Sequence, residues 1–215
     1  MSPNLREQKR RATLAAIEEH ASKLVADNGF DNVTIDDICQ AAHISKRTFF
    51  NYVESKEVAV LGALPTPIAE ECTATFVKQE HPDLLSALLQ LSLDNFAAAI
   101  SPGVDAGELF RRRKAILRAN PELWLSRMAT FNLLHDSIVR TAATYLEQHD
   151  SARQLRHLTP ITEARLVVGI TGTAMEVGFK TWFATPDATL TQLPDLCKQA
   201  LADMRRLART EGGDK

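Results

Sequence analysis

The chain has 215 residues, 45% of them hydrophobic, and a formal net charge of −2 at pH 7. That length suits one compact helical unit, or a small domain joined to a larger one, with ample apolar content for a core. No run of about 18 apolar residues occurs, which excludes a membrane-spanning helix, and 6% aromatics with few Gly and Pro argue against an all-β chain.

Residues 10 to 27 predict a first helix, with Leu14, Ile17, Ala21 and Leu24 at 3-4-3 spacing and Asn28-Gly29 as its stop. Arg6, Lys9, Arg10 and Arg11 precede it as a basic arm. The basic start has no following apolar stretch, so no secretory signal is read. Three widely separated cysteines, Cys39, Cys72 and Cys197, fit a reducing cytoplasm without a structural disulfide.

The most informative stretch is 34 to 57, TIDDICQAAHISKRTFFNYVESKE, which predicts two short helices around a tight turn and a third helix directly behind. Thr34 and Asp37 form a capping-box-like pair, and Ile35, Ile38, Ala41 and Ala42 supply an apolar face. Ala42-His43-Ile44 is the turn. Ser45 caps the second helix and Ser55 the third. A helix-turn-helix sets the first turn of its second helix into the major groove, and Lys46 and Arg47 stand where base edges would be read. Thr48, Asn51 and Tyr52 are expected near flanking phosphates and Phe50 on a thymine methyl or sugar edge. Phe49 and Val53 are expected to anchor the helix in the core. Lys56 and the amides of its helix would meet one phosphate, while Arg10, Arg11 and the rest of the arm follow the backbone or enter the minor groove. The modest net charge is no obstacle, because affinity follows the local count of cations.

Downstream, a helix from Ser55 runs toward Pro65 and resumes after Pro67. Further helices are predicted over 83–99, 106–118, 121–148, 161–184 and 191–210, with Pro82, Pro102, Pro121, Pro160, Pro186 and Pro194 in gaps or first turns. The fold class is all-α. In 106–118, the run Arg111-Arg112-Arg113-Lys114 points in four directions and reads as a solvated surface. In 121–148, the stripe Trp124, Met128, Phe131, His135, Ile138, Ala142 and Tyr145 is either the buried face of a core helix or one wall of an effector cavity. The candidate effector contacts are Trp124, Met128, Phe131 and His135. In 161–184, Gly169, Gly172, Ala174 and Gly178 cost helix stability, which a tight helix–helix interface would explain, either between two subunits or within one. No zinc motif, phosphate-cradling loop or nucleophile elbow occurs, so no catalytic residue, metal or cofactor is expected.

The N-terminal quarter resembles the DNA-binding domain of the TetR/AcrR family of bacterial transcriptional regulators. The resemblance runs through Ala21, Leu24, Val25, Gly29 and Phe30, then Thr34, Ile35, Ile38, Ala41, Ala42, Ile44 and Ser45. It closes on Thr48, Phe49, Phe50, Tyr52, Ser55, Lys56 and Glu57. His43 and Arg47 depart from it, each standing where the family has a glycine. Histidine tolerates positive φ, so the turn is expected to survive. The resemblance implies a helix-turn-helix domain at 1–55 and a helical effector-binding and dimerisation domain at 56–215. It places the helix carrying Arg111, Arg112, Arg113 and Lys114 at their junction, where Glu18 or Asp27 could pair with it. It builds the dimer from the last two long helices, here through Gly169, Gly172, Met175, Leu196 and Ala200. The expected protein is a homodimer on an inverted-repeat operator, a repressor released by a small-molecule effector. The alternative is a DNA-binding dimer that is constitutive or controlled by a protein partner.

Overall fold

The computed structural model describes residues 5–63, 66–100, 106–185 and 187–210; Pro65, Pro102 and Pro186, expected as punctuation, lie outside the described residues. Among the described residues the chain is helical, without strands. The helices are α1 (Leu5–Asn28), α2 (Ile35–Ala41), α3 (Lys46–Tyr52), α4 (Lys56–Leu61), α5 (Glu70–Lys78), α6 (Leu84–Ala98), α7 (Ala106–Ala119), α8 (Pro121–Gln148), α9 (Pro160–Ala184) and α10 (Leu193–Thr210). Short 3₁₀ turns at Asp150–Ala152 and Leu190–Gln192 precede α9 and α10.

One boundary differs from expectation in a way that matters. α1 begins at Leu5, so Arg6, Lys9, Arg10 and Arg11 are helical and form no separate arm. Arg, Glu, Gln and Lys are strong helix formers, and Arg11 pairs with Glu7 one turn back at 3.0 Å. Gly29, at φ 87°, ends the helix.

The chain divides into two compact units: Met1–Leu64 with Ala98–Thr130, and Pro65–Ala97 with Phe131–Lys215. The expected boundary after residue 55 falls inside the first unit, which also takes in α7 and the start of α8. The first unit closes around Ile17, Ala21, Val25, Ile38, Phe49 and Val60, with Ile116 and Leu123 completing the cluster. α7 packs on α1 within this unit, and its basic run is not the solvated surface expected. Arg113 is 8% exposed and lies 3.4 Å from the buried Glu18, while Arg112 bonds Glu19 at 3.0 Å, Glu108 at 2.7 Å and the Ser22 hydroxyl at 2.9 Å. Burial pulls the Arg113 pKa down, opposed by the Glu18 charge. Arg113 Nε also donates to the Val60 carbonyl at 3.1 Å. The buried Arg127 donates to the Gly62 carbonyl at 3.2 Å, and burial pushes its pKa down to about 10. These guanidiniums satisfy carbonyls left open where α4 stops.

The second unit is built on α8 and α9, with Leu88, Ile138, Ala142, Tyr145, Leu146 and Val168 in its core. Hydroxyls join α5 and the residues just before it to α8: the Ile68 N–H donates to Ser137 Oγ at 3.0 Å, and Thr73 and Thr141 hydroxyls meet at 3.0 Å. His149 and His81 ring nitrogens bond the Val77 and Phe76 carbonyls at the end of α5. α9 and α10 pack closely, and a Cβ on Gly178 would stand 2.8 Å from the Cys197 backbone. The loop before α9 is tied down by buried Glu163, which accepts the Gln154 and Leu155 N–H groups at 2.7 and 3.0 Å and Arg153 Nε at 3.1 Å.

The contrast between buried and exposed ion pairs in the first unit is measurable. Glu18→Gln leaves the Arg113 guanidinium buried without its counter-charge and lowers the unfolding free energy by about 3–5 kcal/mol. Arg11→Gln, at an exposed pair, changes it by less than about 0.5 kcal/mol. Denaturant titration measures both, and equal losses would mean that the buried pair carries no special weight.

Candidate nucleic-acid interface

The helix-turn-helix is assembled from local hydrogen bonds. Thr34 Oγ1 accepts the Asp37 N–H at 3.2 Å, and the Thr34 N–H donates to Asp37 Oδ2 at 2.8 Å, a complete capping box. Hydrogen bonds from the Thr34 side chain and then its backbone hold the Asp37 carboxyl below its usual pKa. After α2, His43 takes φ 53°. Its N–H donates to the Gln40 carbonyl at 3.2 Å, and the Ile44 N–H donates to the Cys39 carbonyl at 3.0 Å. This is the Schellman pair of bonds, with histidine in the left-handed position that glycine ordinarily takes. Ser45 then caps α3, its Oγ accepting the Thr48 N–H at 3.1 Å and meeting the Thr48 hydroxyl at 2.9 Å.

α3 has two faces. Phe49 is 0% exposed and Val53 5%, and both sit in the first unit's core. Lys46, Arg47, Phe50 and Asn51 are exposed, Phe50 at 54%. Thr48 and Tyr52 are half-buried, Tyr52 against the core. Thr34 and Ser45 are exposed at the two caps, and Arg10 and Arg11 are exposed on α1. The arrangement sets cations, a hydroxyl, an amide and a ring on the outer side of a seven-residue helix whose inner side is fixed by one aromatic.

Lys56 has an engagement that sequence reasoning misses. Its ammonium donates to the Phe30 and Val33 carbonyls at 2.8 and 3.0 Å and lies 4.0 Å from the Phe30 ring centroid. It ties the start of α4 to the segment between α1 and α2. The available signal is the pairing of Phe30 with a lysine behind a serine cap, which sequence alone does not bring together.

The candidate effector residues do not share one environment. Trp124 and Met128 belong to the first unit and Phe131 and His135 to the second. Trp124 is 47% and Phe131 39% exposed, and His135 is exposed as well. The buried part of that stripe is Ile138, Ala142 and Tyr145. A groove of about 680 Å³ in the second unit is lined by Ile68, Thr73, Lys78, Arg140, Thr141 and Gln148 among others, and includes none of the four. Of the candidate dimer residues, Gly169 and Gly172 face open space, where a Cβ would meet nothing within 4 Å. Met175 and Leu196 are half-buried, and Ala200 is 7% exposed, covered by its own subunit. Burial pushes the Cys197 thiol up to about 11 and raises the Cys39 thiol too, which suppresses the reactive thiolate.

Among the described residues no helix is long and apolar enough to cross a membrane. Residues 17–60, which span α1 from Ile17 through most of α4, match the family model of bacterial regulatory proteins, tetR family. The chain is similar to MftR of Mycobacterium tuberculosis, named as a putative transcriptional regulator of mycofactocin biosynthesis, at 27% identity over 86% of this chain and 87% of that one. It is also similar to the HTH-type transcriptional regulator TcmR of Streptomyces glaucescens, at 24% identity over 94% of this chain and 87% of that one. The capped α2–turn–α3 geometry and these matches agree: residues 17–60 form a helix-turn-helix domain that matches the tetR family model, and the chain is a DNA-binding transcriptional regulator.

Proposed function

We propose that α3 reads base edges in the major groove through Lys46 and Arg47, and that two copies read an inverted repeat as a repressor released by a small molecule. The observation that carries the reading is the division of α3: Phe49 and Val53 are buried while Lys46, Arg47, Phe50 and Asn51 point outward. Lys and Arg donate to guanine O6 and N7, and an exposed ring suits a thymine methyl. The Thr34 and Ser45 hydroxyls, with Thr48 and Tyr52, lie where flanking phosphates would pass. Arg6, Lys9, Arg10 and Arg11 add a cationic first stretch of α1.

A helix of two turns covers too few base pairs for useful discrimination, and doubling it on a two-fold axis supplies the rest. The surface that supports a dimer is on α9, where Leu166, Ile170 and Val177 are 49%, 38% and 43% exposed around the open Gly169 and Gly172. Repression and effector control are typical of the family. A second reading, DNA binding that is constitutive or set by a protein partner, is favoured by the character of the α5–α8 groove, which is open and carries Glu70, Lys78 and Arg140. Both readings place the protein in the cytoplasm with DNA. A compound that stabilises the protein against heat and lowers operator affinity, with operator reciprocally lowering its binding, selects the first.

Three outcomes are expected. Arg47→Ala, tested on duplexes selected from a random pool, loses about 1–3 kcal/mol at one base position and relaxes preference there; unchanged affinity and preference would mean that α3 is set differently in the groove. Gly172→Arg gives a folded monomer by sedimentation that no longer binds the selected duplex, and a wild-type monomer binding tightly at micromolar concentration would overturn the dimer. His43→Gly leaves the turn intact and raises stability by about 0.5–1 kcal/mol, while His43→Val lowers it by about 1–2 kcal/mol and weakens operator binding; a neutral His43→Val would show that the turn tolerates any side chain.

A further inference from the structure

Lys46, the first residue of α3, does not stand alone on the outer surface. Its Nζ lies 2.8 Å from Asp36 Oδ2 in the first turn of α2, with side chains 59% and 67% exposed. The neighbouring Asp37 closes the capping box with Thr34. The two adjacent acids therefore have separate tasks. Asp37 holds the helix start, and Asp36 reaches across the turn to the cation offered to DNA. A carboxylate on this surface is unexpected for a DNA-binding face, since it opposes the phosphates that supply most non-specific affinity.

We infer that Asp36 is a specificity-determining residue: its carboxylate neutralises and orients the Lys46 ammonium, so that Lys46 adds little to binding on random DNA and acts on base edges in the cognate site. The inference rests on the proposed placement of α3. An ammonium carries three N–H donors. One is held by Asp36, which leaves two for the paired acceptors of a guanine edge. On random DNA the paired lysine releases fewer counterions, and the carboxylate repels the backbone. An exposed pair of this kind is weak, so keeping it costs the cognate complex little. The Asp36 hydrogen bond and then its charge raise the Lys46 pKa, so the lysine stays protonated throughout.

The test uses the full chain as wild type, D36N, D36E, K46M and D36N/K46M. Each is measured on a duplex selected by the wild type from a random pool and on random-sequence duplex, over a range of salt, with thermal melts reported alongside. Asp36→Asn is expected to bind random duplex about threefold or more tighter, to steepen its log K against log salt slope by about 0.9, and to lower the ratio of selected to random affinity. Asp36→Glu restores the wild-type slope. In the K46M background the Asp36→Asn gain shrinks or disappears. An unchanged slope and ratio in D36N overturn the inference. A full gain in the K46M background also overturns it, because Asp36 would then act on phosphate without Lys46. If K46M itself binds the selected duplex like wild type, the placement of α3 fails, and the inference fails with it; if K46M is weakened while D36N is silent, the inference alone fails.

Discussion

The outer surface of α3 hangs on the burial of one ring. α3 has seven residues, too few to be stable as an isolated helix, and it presents most of its side chains outward. Phe49 at 0% exposure fixes its rotation about its own axis, with Val53 behind it. Ile17 and Ala21 of α1 and Ile38 of α2 share the buried cluster that holds Phe49. Caps then set where each short helix starts, and the Schellman bonds at His43 set the angle between α2 and α3. Shifting the inner side of α3 moves every outward side chain together, because Phe49, Tyr52 and Val53 anchor one short rigid helix.

Much of this is legible in the sequence, and for a common reason. Caps, glycine stops and short hydrophobic spacings act within a few residues, so Thr34–Asp37, Ser45, Ser55 and Gly29 announce their own structure. The same local rules locate α5 to α10 within a few residues. The contacts that local rules do not give are those between residues far apart in sequence. Glu18 with Arg113, anticipated only through the family resemblance, and Lys56 with the Phe30 and Val33 carbonyls join residues separated by tens of positions. A periodicity argument assigns such side chains to solvent by default, which is why the basic run of α7 reads as surface when it is partly buried. The start of α1 misleads for the opposite reason: a polar first turn without apolar spacing looks like an arm, although its residues favour helix.

The second unit shows how one residue type serves two ends. Gly178 admits Cys197 against the α9 backbone, whereas Gly169 and Gly172 open onto free surface. Spacing alone does not separate these uses, since all three glycines lie on one helix and only the partner decides. Leu193, Cys197, Ala200 and Leu201 are buried within the subunit, so α10 turns its most apolar side toward α9. What remains for another molecule is the outer side of α9, with Leu166, Ile170 and Val177.

The placement of the three cysteines has a practical use. Cys39 and Cys197 are buried, with thiols raised by desolvation, and Cys72 is exposed on α5. A maleimide or nitroxide reagent, which needs both access and thiolate, would attach to the native chain at Cys72 without any prior cysteine removal. A label there sits on the second unit, close along α5 to the groove residues Thr73 and Val77, and a dimer would carry two symmetric labels. Their separation, read by pulsed spin resonance or energy transfer, would follow the second units directly while DNA or small molecules are added.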